Sequence, residues 1–279
     1  MEHYLIVSGL LVLLSFVYIK LAEYFNILDI PNIRSSHTIP VIRGGGVLFL
    51  IAVWIFFFFS GFQYPYFVLG ITLISGISFI DDLKTLSVKV RMPFQIASIV
   101  FILIETGLLE IPIWGIVLIL IAGVGALNIF NFMDGINGIT GMYSLTILIS
   151  LFFINKTELL VNQDLIGFTI LSVLVFGFYN FRRRARFFAG DIGSISIAMI
   201  VVFVIAFFVY KFISPLFLLL TVVYGTDGIL TIVHRKIRGD KLTDPHREHI
   251  YQKLVDMKKL SHLKVSLFYA IAQSVASVI

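Results

Sequence analysis

Residues 192–210 read IGSISIAMIVVFVIAFFVY, nineteen positions without one charged side chain. Coiled as an α-helix, this stretch is about 28 Å long, close to the roughly 30 Å hydrocarbon thickness of a bilayer. Working outwards, similar apolar runs recur at 4–22, 45–60, 64–80, 94–109, 112–130, 139–154, 165–181, 215–233 and 263–279. Lipid offers the backbone no hydrogen bonds, so runs of this length are read as helices. The sequence therefore predicts an all-α fold: a polytopic integral membrane protein of about ten transmembrane helices, forming one multi-span domain over 1–279. The first run follows a Glu and has no small-residue cleavage site, so it reads as a retained span rather than a signal peptide.

Composition agrees. Of 279 residues, 59% are hydrophobic and only 13% charged, against about 25% in an ordinary soluble domain. Mean hydropathy is +1.01. Soluble globular and disordered classes are excluded. The absence of cysteine excludes disulfide scaffolds, thiolate metal sites and cysteine nucleophiles. A net charge of +5 could suggest nucleic acid, but in a membrane protein the placement of Lys and Arg matters first. Seventeen of the 21 fall in the connections after the first, third, fifth, seventh and ninth runs, whereas the even connections hold only Lys156 and Lys211. The positive-inside rule puts the odd connections in the cytoplasm and the N-terminus outside.

Acids at a membrane edge are costly and mark function. Asp81, Asp82, Asp134, Asp191 and Asp227 all lie near the predicted inner ends of apolar runs. Five segments stand out. In 35–46, SSHTIPVIRGGG, His37 and Arg43 flank a proline and three glycines follow. Such glycines let backbone N–H groups approach an anion, or simply ease helix packing; the two readings weigh about equally. In 79–91, FIDDLKTLSVKVR, adjacent carboxylates resist joint ionisation without a cation, which suits a metal or a proton acceptor. The alternative is a helix-exit pair balanced by Lys84 and Lys89. In 128–138, NIFNFMDGING, Asn128, Asn131 and Asp134 repeat every three residues on one face, able to bind a sugar or nucleobase or to ligate a hard cation. An ordinary Asn–Gly turn leaves those three groups unexplained. In 190–194, GDIGS, Asp191 opens a helix, where it can hold Mg²⁺ against phosphates or merely cap the helix. In 227–253, Asp227, Thr231, His234, Arg235 and Arg238 form one stripe, followed by His246, Arg247 and His249 in PHREH. These suit phosphate, or zinc in no familiar ligand pattern; the bland reading is a polybasic stretch on anionic lipid. Carboxylates, amides and arginines on one face fit phosphoryl transfer, which needs positioning, a divalent cation and charge neutralisation.

In these five segments, taken in order, the chain resembles the polyprenyl-phosphate N-acetylhexosamine-1-phosphate transferases. They are His37-Thr-Ile-Pro40 with Arg43-Gly-Gly, Asp81-Asp82-Leu, Asn128-x-x-Asn131-Phe-x-Asp134-Gly, Gly190-Asp191-x-Gly193-Ser194, and PHREHIYQKL. The resemblance covers about residues 30–255. It implies transfer of an amino-sugar-1-phosphate from a UDP-sugar to undecaprenyl or another polyprenyl phosphate, releasing UMP and starting a cell-surface glycan, in a bacterial plasma membrane with the catalytic loops in the cytoplasm. It implies Mg²⁺, with Mn²⁺ as substitute, held by Asp191. It assigns Asp81 and Asp82 to the polyprenyl phosphate, and Asn131 and Asp134 to the nucleotide and metal site. His246, Arg247 and His249 are assigned to the donor, with His37, Arg43 and Asn128 as further substrate-binding groups. No nucleic acid is expected, and a homodimer is compatible with the family. Asn137 stands where many members carry Asp, so a charge there is not expected to be essential. PHREH differs from the three-histidine form of the lipid I synthases and points to the O-antigen-type members. The last run ends at Ser-Val-Ile without a polar flank where relatives often continue, which reads as a truncated C-terminus. The competing class is a transporter or lipid flippase, motivated by Asp227 and the glycine-broken helices. Its site would lie near the midplane with an inverted repeat, which the sequence does not show. A non-catalytic lipid scaffold is the third class.

Overall fold

The computed structural model describes residues 2–31, 39–241 and 247–278. Among them are eleven α-helices: α1 (Glu2–Tyr24), α2 (Val47–Phe59), α3 (Pro65–Leu83), α4 (Val88–Thr106), α5 (Ile113–Met133), α6 (Ile139–Glu158), α7 (Gln163–Asn180), α8 (Gly190–Phe212), α9 (Val222–Arg238), α10 (Ile250–Asp256) and α11 (His262–Val278). Short 3-10 stretches precede α5 and α9, at Leu108–Glu110 and Pro215–Thr221.

Every expected apolar run is helical, but seven helical stretches are long and apolar enough to cross a membrane: α1, α3, α5, α6, α7, α8 and Pro215–Arg238. The other runs of the expected ten or so are helical as well but fall outside those limits: α2 has 13 residues, about 20 Å of helix. In addition, α4 carries Lys89 and Arg91 in its first turns, and α11 has 17 residues. The all-α expectation has one small exception. Leu28–Asp29 (β1) pairs antiparallel with Val41–Ile42 (β2), and Ile42 bridges to Phe187.

The run that identified the fold lies at its centre. Helix α8 is 78% buried across its apolar window, against 22% for α1 and for α5. A helix apolar all round belongs inside a bundle, and α8 packs against α2, α3, α5 and α6. Without a hydrophobic drive between helices in lipid, close packing and polar contacts hold such pairs. Ser75 of α3 bonds Ser196 of α8 at 2.7 Å, and Phe67 stacks on Phe203 at 3.9 Å. Where α2 and α8 begin, their backbones touch: a Cβ on Gly46 would lie 2.2 Å from the Gly193 Cα. That contact brings the starts of α2 and α8 together with the end of α3.

Candidate active site

The ends of α3 and α5 meet the starts of α2, α4 and α8, and the chain's acids and amides gather there. Asp81 and Asp82 are both buried, at 7% and 9% exposure, and diverge. Asp81 receives Arg91 at 2.7 Å and the Leu86 backbone N–H at 2.5 Å. Asp82 receives the Arg43 Nε at 2.6 Å and the backbone N–H groups of Asp191 and Ile192 at 2.8 and 3.1 Å. The counter-charges are thus Arg43 and Arg91, not the Lys84 and Lys89 of the alternative helix-exit reading. Asp191 lies between the same two arginines, 3.6 Å from Arg43 and 4.0 Å from Arg91.

Asp191 does not cap its own helix, the bland reading of the GDIGS segment. Asp82 supplies that cap from α3, which leaves the Asp191 carboxylate turned to the arginines. Gly190 has φ +72°, and a Cβ there would lie 2.6 Å from Asp82 Oδ2, so glycine is what permits this approach.

The glycines after Arg43 serve packing. The N–H groups of Gly45 and Gly46 bond the carbonyls of Phe188 and Ala189 at 2.8 and 3.0 Å, so they are not available to cradle an anion. A Cβ on Gly45 would fall 2.0 Å from the Phe187 ring. Arg43 is held by this frame and by Tyr18 of α1, whose hydroxyl donates to the Arg43 carbonyl. Burial opposes the Arg43 charge, but Asp82, Asp191 and Asp29 outweigh it and raise its pKa.

Asn128 and Asn131 share a small recess with Asp81, Arg91, Gln95 and Asp191, closed on the apolar side by Ile74, Ile77 and Ile195. Asn128 exchanges amide hydrogen bonds with Gln95 at 3.1 and 3.3 Å, and Asn131 donates to Ser194 at 3.2 Å. Asp134 lies beyond the end of α5, where it accepts from Thr140 at 2.7 Å. Burial, reinforced by the Asp82 charge, pushes its carboxyl up to about 6.

The C-terminal stripe divides. Asp227, Thr231 and Arg235 face inwards, while His234 and Arg238 are exposed. Asp227 is an anchor: it accepts from the Tyr269 hydroxyl at 2.6 Å and the Ile250 and Tyr251 N–H groups at 3.0 and 3.3 Å, and bonds the His249 ring at 3.1 Å. His249 is buried in that network, which ties the start of α10 to α9. Arg247 pairs with Asp256 at 3.0 Å. His37 and His246 lie outside the described residues. Asn137 uses its amide to hold the carbonyls of Arg182 and Arg183, a role that needs no charge.

The family model described as glycosyl transferase family 4 matches residues 64–210, just over half of the chain and the part that carries Asp81, Asp82, Asn128, Asn131, Asp134 and Asp191. The chain belongs to glycosyl transferase family 4. It is 26% identical to the undecaprenyl-phosphate alpha-N-acetylglucosaminyl 1-phosphate transferase of Escherichia coli K12, over 83% of this chain and 70% of that protein. The Yersinia pestis protein of the same name is also 26% identical, over 85% and 71%. The decaprenyl-phosphate N-acetylglucosaminephosphotransferase of Mycobacterium tuberculosis is 27% identical, over 88% and 73%.

The site of this family 4 chain includes groups that sequence reasoning passed over. Arg91 counted only as a topology charge, though it lies ten residues after Asp81 and at the start of a helix. Gln95, one turn further on, completes the amide pair. Tyr251 lies in PHREHIYQKL with no role assigned to it, yet its hydroxyl donates to the Phe132 carbonyl at 3.1 Å and its ring fills the space over Gly135.

Proposed function

We propose that this protein transfers an N-acetylated amino-sugar-1-phosphate from a UDP-sugar to a polyprenyl phosphate, undecaprenyl phosphate above all, at the cytoplasmic face of a bacterial plasma membrane. The observation that carries the reading is the alternation Arg43–Asp82, Asp191, Arg91–Asp81 at converging helix ends, in a chain of glycosyl transferase family 4. Two arginines among three acids can exchange carboxylate for phosphate when substrates enter. The relatives' names specify polyprenyl phosphates and N-acetylglucosamine 1-phosphate. The Lys and Arg bias supports the cytoplasmic placement. The short PHREH segment favours a start of O-antigen, capsule or teichoic-type glycan assembly over lipid I synthesis.

The donor set suits Mg²⁺, with Mn²⁺ as substitute. Asp191 and the Asn131 amide offer hard oxygens at one recess, and no group of three or more acids and histidines is arranged as a metal cage among the described residues. Mg²⁺ binds in that way, through one or two carboxylates plus substrate phosphates. When bound it would neutralise the donor diphosphate. The chain's own part is positioning. A phosphate monoester has its second pKa near 6, so the acceptor is largely dianionic and needs orienting more than deprotonation. Asp81 and Asp82 already have their oxygens engaged by arginine and backbone N–H, which favours an orienting role and a direct displacement over an aspartyl-phosphate intermediate. An acceptor phosphate oxygen attacks the sugar-bearing phosphorus, the phosphoanhydride bond breaks, and UMP leaves. Arg43 and Arg91 hold the phosphates in line, and Asp134, Asn128 and Arg247 contact the donor.

The test is a panel of UDP-amino sugars with purified protein and undecaprenyl phosphate, scored for UMP release. Divalent-cation-dependent release with at least one donor is expected, and its absence with every donor overturns the reading. Full activity of Asp191→Ala would remove the metal assignment.

A further inference from the structure

We propose that the loop 182–186, between α7 and α8, is a docking site for phosphate-bearing headgroups of anionic phospholipids. Its sequence, RRRAR, places four guanidinium groups in five residues. Among the described residues the arginines outside this loop have carboxylate partners: Arg43 with Asp82, Arg91 with Asp81, Arg235 and Arg238 with Asp240, and Arg247 with Asp256. Arg183, Arg184 and Arg186 are exposed and form no ion pair among the described residues. Positive groups this close repel one another, so anions from outside the chain are needed to balance them.

The loop is also fixed in place. Asn137 holds the carbonyls of Arg182 and Arg183 at 2.9 and 3.3 Å. The Arg186 N–H bonds the Tyr179 carbonyl at 2.9 Å, and the Asn180 amide bonds the Phe187 carbonyl at 3.0 Å. Ala185 is buried and Phe187 is wedged on Gly45. A floppy basic tail would lose backbone entropy on binding, whereas this frame fixes the backbone that carries the arginines beforehand.

The height of the loop selects the ligand. Helix α7 is apolar enough to cross a membrane and ends at Asn180. Phe178, in its last turn, is 63% exposed, a large apolar side chain facing outwards at the helix end. The Arg182 guanidinium lies 4.5 Å over that ring, and its Nε donates to the Phe178 carbonyl at 2.6 Å. An arginine lying back along an apolar surface to keep its charge at the rim marks the boundary between acyl chains and headgroups. Arg183, Arg184 and Arg186 follow immediately beyond it, at the level of lipid phosphates, which guanidinium groups bind bidentately. Anionic leaflets attract such groups.

The experiment uses the full chain in a neutral detergent, with the thermal midpoint read while dioleoyl-phosphatidylglycerol or dioleoyl-phosphatidylcholine is titrated in. Ligand binding to the folded state raises the midpoint. Phosphatidylglycerol is expected to raise it by roughly 3–5 °C and phosphatidylcholine by much less. The triple variant Arg183→Gln, Arg184→Gln, Arg186→Gln is expected to keep its lipid-free midpoint and lose the phosphatidylglycerol shift. Lys258→Gln with Lys259→Gln keeps the shift. A triple variant that retains the full shift, or equal shifts with both lipids, overturns the proposal. So does inorganic pyrophosphate that reproduces the arginine-dependent shift without added lipid, because it assigns the loop to a soluble phosphate instead.

Discussion

Asp82 of α3 caps the helix that carries Asp191: its two carboxylate oxygens accept the backbone N–H groups of Asp191 and Ile192 at 2.8 and 3.1 Å, while Arg43 bonds the same carboxylate at 2.6 Å. One acid therefore fixes both the start of α8 and the arginine that flanks Asp191. Removing one partner of a buried, hydrogen-bonded ion pair costs about 3–5 kcal/mol. Asp82→Asn keeps the shape but loses the charge, and is expected to lower the thermal midpoint clearly as well as abolish transfer. Asp81→Asn, whose partner Arg91 retains Asp191 as a second acid, should lose activity with a smaller fall in midpoint. Thermal unfolding of the two purified variants checks the order. Equal midpoints would show that the cap contributes little.

The Gly46–Gly193 crossing sets the spacing between α2 and α8, and with it the reach from Arg43 to Asp82 and Asp191. A Cβ on Gly193 would lie 2.7 Å from the Gly46 Cα, backbone that cannot rotate away. Gly193→Ala is expected to destabilise by about 1–3 kcal/mol or more, the usual range for overpacking, and to reduce transfer at least tenfold. Gly76, on α3 of the same bundle, has nothing within 4 Å of its Cβ position, so Gly76→Ala should change neither quantity. Parallel unfolding and UMP-release measurements on the two variants decide it.

These two relationships also show what the sequence could and could not convey. Apolar runs are local, so the helix in each of the ten runs is readable while the short α10 is not, and membrane-edge acids are costly enough to flag Asp81, Asp82, Asp134 and Asp191 individually. What each acid touches depends on which helix ends meet, and no local pattern encodes that. The Asp82 cap on α8 joins residues over a hundred positions apart. For the same reason Arg91 was hidden among topology charges. Asp227 looked like a site acid because a buried anchor and a catalytic acid leave the same mark in a sequence. In the sequence the RGGG glycines suit anion binding and packing equally; the Phe188 and Ala189 carbonyls, which accept the Gly45 and Gly46 N–H groups, decide for packing.

Gly135 and Tyr251 are a complementary pair. A Cβ on Gly135 would lie 2.1 Å from the Tyr251 hydroxyl oxygen, but 3.0 Å from the ring carbon that bears it. Gly135→Ala should therefore displace Tyr251, disturb the turn that carries Asp134, and lower activity at least tenfold. Tyr251→Phe alone loses only the bond to the Phe132 carbonyl, worth about 1 kcal/mol, and should cost little. The double variant Gly135→Ala, Tyr251→Phe removes the worst overlap and is expected to recover part of the loss. Such non-additivity is the mark of residues in direct contact. Steady-state rates of the three variants and the parent give the coupling, and a double variant no better than Gly135→Ala would dissolve the pairing.

Asp134 makes stability depend on pH with a definite sign. Burial raises its carboxyl from 3.8 in the unfolded chain to about 6 in the folded protein, so the folded state binds the proton more tightly. Between those values the folded form holds more protons, and its stability falls as pH rises. The stabilisation is fully present below about 3.8 and is gone once pH passes about 6, amounting to at most about 3 kcal/mol. Asp134→Asn cannot ionise and avoids this loss. In EDTA, the variant should therefore unfold at a higher temperature than the parent at pH 7.5, with the gap closing towards pH 4.5. Thermal midpoints of both proteins across that range provide the check, and a gap that widens as pH falls would contradict the assignment. With a divalent cation present the balance reverses at neutral pH if the Asp134 charge supports binding, and the parent should then gain more from the cation than the variant does.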